Sequence, residues 1–278
     1  MQVQVTLAAK VSYAGIGLHS GQMVHLSLLP APEDTGIVFC RTDLAGRPHV
    51  RAIASNVTST LRATTIEESG VRLFTIEHLM SALHAMRIDN CLVEMDAEEP
   101  PVADGSSLVF YELLQQAGRK EQEAPRREIV IDRVYRVDDG ERFILALPYD
   151  GFRVSFTSLN EHPLIGVQYV DFEMDGATYG REIAPARTIA YEGEVTALRK
   201  AGLGLGGTME NVIVYNDEGW LNELRFPDEL VRHKVLDAIG DMRLAGFLRG
   251  QIIAVKSGHE LNTRLAKLIA ASTAPGSS

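Results

Sequence analysis

His233 and Asp237 stand four residues apart in FPDELVRHKVLDAIGDMRLAG, Phe226 to Gly246, a run that reads as a helix with Pro227 and Asp228 as start residues and Gly246 as a stop. At about 100° per residue the two side chains project within about 40° of each other, so an imidazole and a carboxylate can grip one ion. A His–Asp pair at this spacing is more often a solvated surface pair, and the spacing alone leaves both readings open. Val231, Val235, Ala238 and Met242 fall on nearly the opposite face, an apolar stripe that packs inward. A further ligand must come from elsewhere, and TIEHLMSALHAMRIDN, Thr75 to Asn90, offers His78 with Glu77 beside it. Leu79, Leu83 and Met86 form the apolar face of this second helix. His84 lies six positions past His78 and points about 240° away, so the two cannot share an ion on a straight helix. It is read as an ordinary partly buried or surface histidine. HExxH is absent, which removes the commonest zinc-hydrolase motif. In VKSGHELN, Val255 to Asn262, a strand end, a Ser-Gly turn and a helix start place His259 on the turn. Loop edges suit catalysis, and they equally hold helix-capping or surface histidines.

These segments need a framework that brings them together. Ala82-Leu83-x-x-Met86-Arg87-Ile88 recurs as Ala238-Ile239-x-x-Met242-Arg243-Leu244, each with a histidine four or five residues earlier and a strand-like run after it, NCLVEMD and GQIIAVKS. The repeat predicts an α+β protein of two related domains, each a β-sheet with helices on one face, and facing helices that put a histidine from each half at an active-site cleft between them. The charged EQEAPRRE, Glu121 to Glu128, separates helix-like FYELLQQAG from strand-like EIVIDRVYRV, which puts the domains at 1–124 and 125–271. The tail 272–278, STAPGSS, has nothing to bury and is expected to be mobile. Gly202-x-Gly204-x-x-Gly207 matches the dinucleotide fingerprint literally. That fingerprint needs a strand before it and a helix after, whereas here helix-like VTALRK precedes and strand-like NVIVYN follows. The glycines are read instead as a tight helix-to-strand connection, with close approach of a substrate to the backbone as the lesser alternative.

With 278 residues, 45% of them hydrophobic, the chain has material for about two domains of ordinary size. Its formal net charge of -10 argues against nucleic acid as a partner. Cys40 and Cys91 are too few for a disulfide framework, and neither belongs to a CxxC pair, which fits a reducing cytoplasm. No stretch approaches the roughly 20 apolar residues of a membrane span, and the start alternates like a strand without the basic head of a signal peptide.

GIGLHSG, TIEHLMSALHAMRIDN, PVADGSS, PARTIAYEG, GLGLGGTMENVIV, LRFPDELVRHKVLDAIGD and VKSGHELN stand in the order and approximate spacing of the UDP-3-O-acyl-N-acetylglucosamine deacetylases of lipid A synthesis. The chain resembles that family over nearly its whole length. The resemblance implies Zn2+, with Fe2+ as the alternative ion, on His78, His233 and Asp237. It implies Glu77 as general base, Thr188 as hydroxyl donor to the developing oxyanion, and His259 as a cationic imidazole that protonates the leaving amine, oriented by Asp241. Lys234 looks like a contact to the sugar or diphosphate, and Arg142 in DDGERF matches a basic nucleotide-binding residue. A cytoplasmic, monomeric enzyme is expected, acting on a UDP-linked acylated amino sugar and touching membranes only transiently, through acyl chains. The chemistry needs these types: an amide is a poor electrophile, its nitrogen leaves only when protonated, and a free carboxylate must take the proton of the attacking water.

Two departures and two rivals accompany the resemblance. Ile189-Ala190-Tyr191 stands where the family commonly carries Phe-Gly-Phe, and the stretch from Asn216 to Phe226 is slightly shorter. That region helps to form the family's acyl-chain passage, so the accepted chain length stays open. The role of His19 in GIGLHSG also stays open, with a loop-stabilising part favoured. Two histidines and a carboxylate also describe a non-haem Fe(II) oxygenase, but its usual order is reversed here and it has no use for Glu77 and His259. A catalytically silent nucleotide-sugar binding protein of the same fold is the other alternative, against which the same two residues speak.

Overall fold

The computed structural model describes residues 2–273. Alternation of apolar and polar residues sets many of its strands. In Met23–Pro30, for example, Val24, Leu26 and Leu28 are buried while the residues between them are more exposed. The N-terminal half contains β1 (Val3–Leu7), β2 (Val11–Ile16), β3 (Met23–Pro30), β4 (Ile37–Arg41), β5 (His49–Arg51), β6 (Val57–Ser59), β7 (Thr65–Glu68), β8 (Val71–Phe74), α1 (Glu77–Ala85), β9 (Cys91–Met95), α2 (Leu108–Ala117) and β10 (Arg119–Pro125). The C-terminal half contains β11 (Glu128–Val130), β12 (Tyr135–Asp139), β13 (Arg142–Leu147), β14 (Phe152–Leu159), β15 (Val167–Glu173), a short α3 (Gly176–Thr178), β16 (Ile189–Tyr191), α4 (Glu192–Lys200), β17 (Ile213–Asn216), β18 (Gly219–Trp220), α5 (Glu229–Arg243), β19 (Phe247–Val255) and α6 (His259–Thr273). Ser272 and Thr273 thus end a helix, and the rest of the tail expected to be mobile lies outside the described residues.

The two halves repeat one topology. The first sheet runs β2-β3-β9-β4-β5 and the second β12-β13-β19-β14-β15. In both, the strand after the long helix enters the middle of the sheet, antiparallel to one neighbour (β3, β13) and parallel to the other (β4, β14). Each half carries a small three-stranded insert between the last strand of the order and that helix, β6-β7-β8 in one and β16-β17-β18 in the other. The molecule is therefore α+β, built from two related halves, and one continuous apolar core joins Leu26 and Phe39 of the first to Phe156 and Ile252 of the second.

The charged segment between the halves is partly a strand: β10 pairs antiparallel with β1 through Pro125, opposite Val3. The β10 side chains are mostly exposed and rich in Arg, Lys and Glu, which gives this strand the composition of a linker, whereas its partner β1 is buried and joins the core.

Helices α1 and α5 pack on each other between the two sheets, and this contact positions the site. Sequence periodicity predicts one buried stripe on α5, yet 13 residues of α5 are buried, His233 and Asp237 among them. The stripe packs toward the helix's own sheet, and the other face is covered by α1 from the opposite half. Gly240 permits the contact, since a Cβ there would stand 2.1 Å from the Glu77 carbonyl oxygen.

Candidate active site

The site is assembled from the N-terminus of α1, the middle of α5 and the first residue of α6. Glu77 and His78 are the first two residues of α1, and His233, Asp237 and Asp241 lie one turn apart along α5. The approach to α1 is strained: Thr75 has φ of 57°, a left-handed conformation that costs a β-branched residue on the order of 1–3 kcal/mol. Its hydroxyl donates to Glu99 Oε1 at 2.8 Å, and the buried Glu99 carboxylate also accepts the backbone N–H groups of His19 and Ser20. The GIGLHSG loop is thereby tied to the residues that aim Glu77 and His78. Lys256, three residues before His259, is strained in the same way, with φ of 51°.

His78, His233 and Asp237 bring three donor atoms together, all buried and within 4.8 Å of one another. His78 Nε2 and His233 Nε2 lie 3.9 Å and 3.4 Å from Asp237 Oδ1, with the two rings edge to face. His233 Nδ1 is 3.0 Å from the Ala186 carbonyl, which can only accept, so the hydrogen sits on Nδ1 and the Nε2 lone pair faces the cluster. Burial, with His233 next, lowers His78 to about 3, and burial likewise lowers His233, so both imidazoles are biased toward the neutral, lone-pair-bearing form. Burial works against the Asp237 carboxylate, yet Lys234, then His233 and His259, hold it below the usual carboxylate range. Lys234 Nζ donates to Asp237 Oδ2 at 3.0 Å, leaving Oδ1 for the cluster. Two neutral imidazoles and one ionised carboxylate, each with a free lone pair, fit a divalent cation.

A second group, Glu77, Asp237 and His259, also lies within 4.8 Å. Burial alone would discharge His259, but Asp241, Asp237 and Glu77 outweigh it and raise it to about 10. An imidazolium has no lone pair to give, so this second group is an acid facing a base. His259 Nδ1 lies 2.9 Å from Asp241 Oδ2, and its Nε2 is 3.9 Å from Glu77 Oε1. Glu77 is pushed up to about 8, chiefly by burial, with Asp241 and Asp237 adding to it and His259 opposing. A carboxyl held this close to neutrality can exchange a proton, and the charge of a cation on the neighbouring donors would favour the ionised form that a base needs.

These groups face a cavity of about 480 Å³. Thr75, Glu77, His78, Thr188, His233, Lys234, Asp237 and His259 line it, and Leu18, Val195, Leu198, Leu203, Met209 and Leu221 supply much of its apolar wall, alongside Arg62, Glu192 and Arg199. Thr188 is fixed by its N–H to the Gly105 carbonyl at 2.9 Å and by the Ile213 N–H to its own carbonyl at 2.8 Å. The preceding Arg187 forms a buried pair with Glu229, its Nε 2.9 Å from Oε1. Ile189 and Ala190 lie on the cavity wall. Arg142 lies outside this cavity, in an adjoining depression with Ser59, Thr60 and Glu260, where it pairs with Asp139 and Glu260. His259 lines both spaces.

The glycine loop is neither part of a dinucleotide site nor idle. It runs from α4 to β17 and packs on GIGLHSG, with Gly206 N donating to the Leu18 carbonyl at 3.0 Å and Gly204 N to His19 Nδ1 at 3.3 Å. A Cβ at Gly206 would meet the Gly17 carbonyl at 2.2 Å. His19 thus fastens two loops and also lines the cavity wall. His84 takes no part: it is buried between Phe152 and Phe247, on the far side of α1 from His78. Sequence reasoning missed Thr64, Glu99 and Asn262, all buried and all bonded to site residues. Only Asn262 left a signal, standing three residues after His259 in VKSGHELN.

A candidate acid, a candidate base and a set of donors fit to hold a cation converge on one cavity, the groups that a hydrolytic enzyme uses. A family model described as UDP-3-O-acyl N-acetylglycosamine deacetylase matches residues 4–271. The chain is 45% identical over 273 residues to the UDP-3-O-acyl-N-acetylglucosamine deacetylase of Marinobacter nauticus, covering 96% of this chain and 90% of that protein. It is 46% identical to the proteins of the same name from Hahella chejuensis, covering 94% of this chain and 88% of that one, and Myxococcus xanthus, covering 96% and 86%. The chain belongs to the UDP-3-O-acyl-N-acetylglucosamine deacetylase family.

Proposed function

We propose that this enzyme hydrolyses the N-acetyl group of a UDP-3-O-acyl-N-acetylglucosamine, releasing acetate and the free amine in lipid A biosynthesis, with a divalent cation, Zn2+ or Fe2+, on His78, His233 and Asp237. The observation that carries this reading is the convergence of those three donors beside Glu77, with the cationic His259 opposite, in a cavity with an apolar wall. Bound there, the ion supplies Lewis acidity toward the amide carbonyl and acidifies water toward a pKa of about 7.

The protein's groups do the rest. Glu77 takes a proton from the attacking water as its oxygen bonds to the carbonyl carbon. Thr188 donates its hydroxyl to the oxygen that gains charge. His259 gives its Nε2 proton to the amide nitrogen as the C–N bond breaks, and Asp241 holds the ring by its other nitrogen. Acetate and amine depart, and proton exchange returns Glu77 to carboxylate and His259 to imidazolium. Lys234 contacts the sugar or diphosphate, Arg142 the nucleotide in the adjoining depression, and the 3-O-acyl chain packs on the apolar wall of the cavity. Domains at 1–124 and 125–271 would supply one ligand and two ligands respectively, in a monomeric cytoplasmic protein. Among the described residues no helix is long and apolar enough to cross a membrane.

Acetate release from purified protein, before and after chelation and metal restoration, tests the reaction, and metal analysis identifies the ion. Asp237→Ala should lose the ion, whereas Glu77→Gln should keep it and lose at least about 100-fold in kcat. Stoichiometric metal and wild-type acetate release in Asp237→Ala would overturn the ligand set. Tight binding of the nucleotide sugar without acetate release would establish the silent binding protein instead.

A further inference from the structure

We infer that Thr64 is a positioning residue for this reaction: together with His259 it clamps the carboxylates of Glu77 and Asp241 in a closed circuit that sets the separation of base and acid. The inference rests on the roles given above to Glu77, Asp241 and His259. Each carboxylate divides its two oxygens between the same two partners. Glu77 Oε2 accepts the Thr64 backbone N–H at 3.1 Å, and Oε1 lies 3.9 Å from His259 Nε2. Asp241 Oδ1 accepts the Thr64 hydroxyl at 2.5 Å, and Oδ2 accepts from His259 Nδ1 at 2.9 Å. Thr64 is fully buried and reaches across 177 residues of sequence to Asp241, so it joins the half that supplies the base to the half that supplies the acid.

Only the hydroxyl side of this clamp depends on the side chain. Asn262 Nδ2 also donates to Asp241 Oδ2, at 2.9 Å, and the Ser257 hydroxyl on Asn262 Oδ1 fixes that amide as the donor. Oδ2 therefore has two donors and Oδ1 has Thr64. Without the hydroxyl, Oδ1 is a buried acceptor lacking this donor, and only the two bonds on Oδ2 resist rotation of the carboxylate about its Cβ–Cγ bond toward other donors. That rotation carries Oδ2 away from Nδ1 and tilts the imidazolium, so its Nε2 proton no longer faces the leaving nitrogen. Glu77 keeps its backbone N–H whatever residue stands at position 64. Misplacement of a reacting group by about 1 Å is worth as much as 100-fold in rate.

The matched pair Thr64→Ser and Thr64→Ala tests this, because both lose the methyl group and only one loses the hydroxyl. Thr64→Ser should stay within about threefold of the wild-type kcat, and Thr64→Ala should fall by about 10- to 100-fold with KM and bound metal unchanged. In an Asp241→Ala background Thr64→Ala should cost nothing further, since the residue acts through Asp241. Independently of turnover, the downfield proton resonance of His259 Nδ1 in metal-free protein should persist in wild type and Thr64→Ser and shift or broaden in Thr64→Ala. Equal kcat in the two variants, an undiminished loss in the Asp241→Ala background, or identical resonances would each overturn the inference. Should Thr64→Ala not fold, the shape-conserving Thr64→Val replaces it under the same outcomes. A wild-type protein that releases no acetate refutes the proposed reaction and leaves the resonance comparison to decide the role of Thr64.

Discussion

Replacing Glu229 by glutamine should destabilise the protein strongly although residue 229 touches no part of the reaction. Its carboxylate is shut off from water and accepts four hydrogen bonds: from the Arg187 backbone N–H at 2.9 Å, Arg187 Nε at 2.9 Å, Arg187 Nη2 at 3.3 Å and the Arg225 backbone N–H at 2.6 Å. Glutamine keeps one acceptor oxygen, turns an NH2 group toward donors, and leaves the Arg187 guanidinium, only 8% exposed, without its counter-charge. The Arg187 bond to the Glu223 carbonyl satisfies one N–H but supplies no charge. Breaking a buried ion pair of this kind costs about 3–5 kcal/mol. At about 2–4 °C per kcal/mol for a chain approaching this size, the melting midpoint should fall by roughly 6–20 °C. Turnover should fall as well, because Thr188 follows Arg187 directly and loses its anchor to α5. Circular-dichroism melts, urea titrations and acetate release on Glu229→Gln provide the readouts, with Arg187→Met/Glu229→Gln, which removes the unpaired charge and keeps an acceptor for the backbone N–H groups, expected to melt above the single variant. A midpoint within 2 °C of wild type would refute the argument that this pair holds the Thr188 strand in place.

Gly240→Ala should push α5 away from the Glu77 carbonyl, destabilise by about 1–3 kcal/mol and cut kcat by more than tenfold; melts and acetate release check both, and a fully active variant of unchanged stability would contradict the contact. His259, raised to about 10 from an ordinary 6.5, contributes stability that is complete below about 6.5 and is lost as pH rises through about 10. Metal-free melts above about pH 9, where Glu77 is mostly ionised, should therefore fall more steeply with pH for wild type than for Asp241→Asn.

Helix spacing made the His233–Asp237 pair readable as an ion grip, and the repeat of Ala82–Ile88 in Ala238–Leu244 foretold the repeated topology. The spacing could not foretell burial. Periodicity reports which face of a helix meets its own sheet, whereas the second face of α5 is covered by α1, brought from about 150 residues away. His84 shows the same limit, since the angle rightly separates it from His78 but cannot reveal Phe152 and Phe247 around it. The proposed ligand set and division of roles came from family resemblance, with local geometry supporting only two of the three proposed ligands. Thr64 left no local trace because both of its bonds are long-range, and β10 resembled a linker because a largely exposed strand shares a linker's composition.

If the ion is held as proposed, the contact of α1 with α5 also determines when in the life of the chain it can be captured. The N-terminal half holds one donor and the C-terminal half two, so an ion on all three side chains is held only after the halves have docked. Metal affinity and docking are then one equilibrium seen from two ends: whatever pries the helices apart must release the ion, and free metal in solution favours the closed form by mass action. Metal uptake during refolding would serve as a clock for the last assembly step, and a fragment of either half would hold the ion weakly even with all of its own ligands intact.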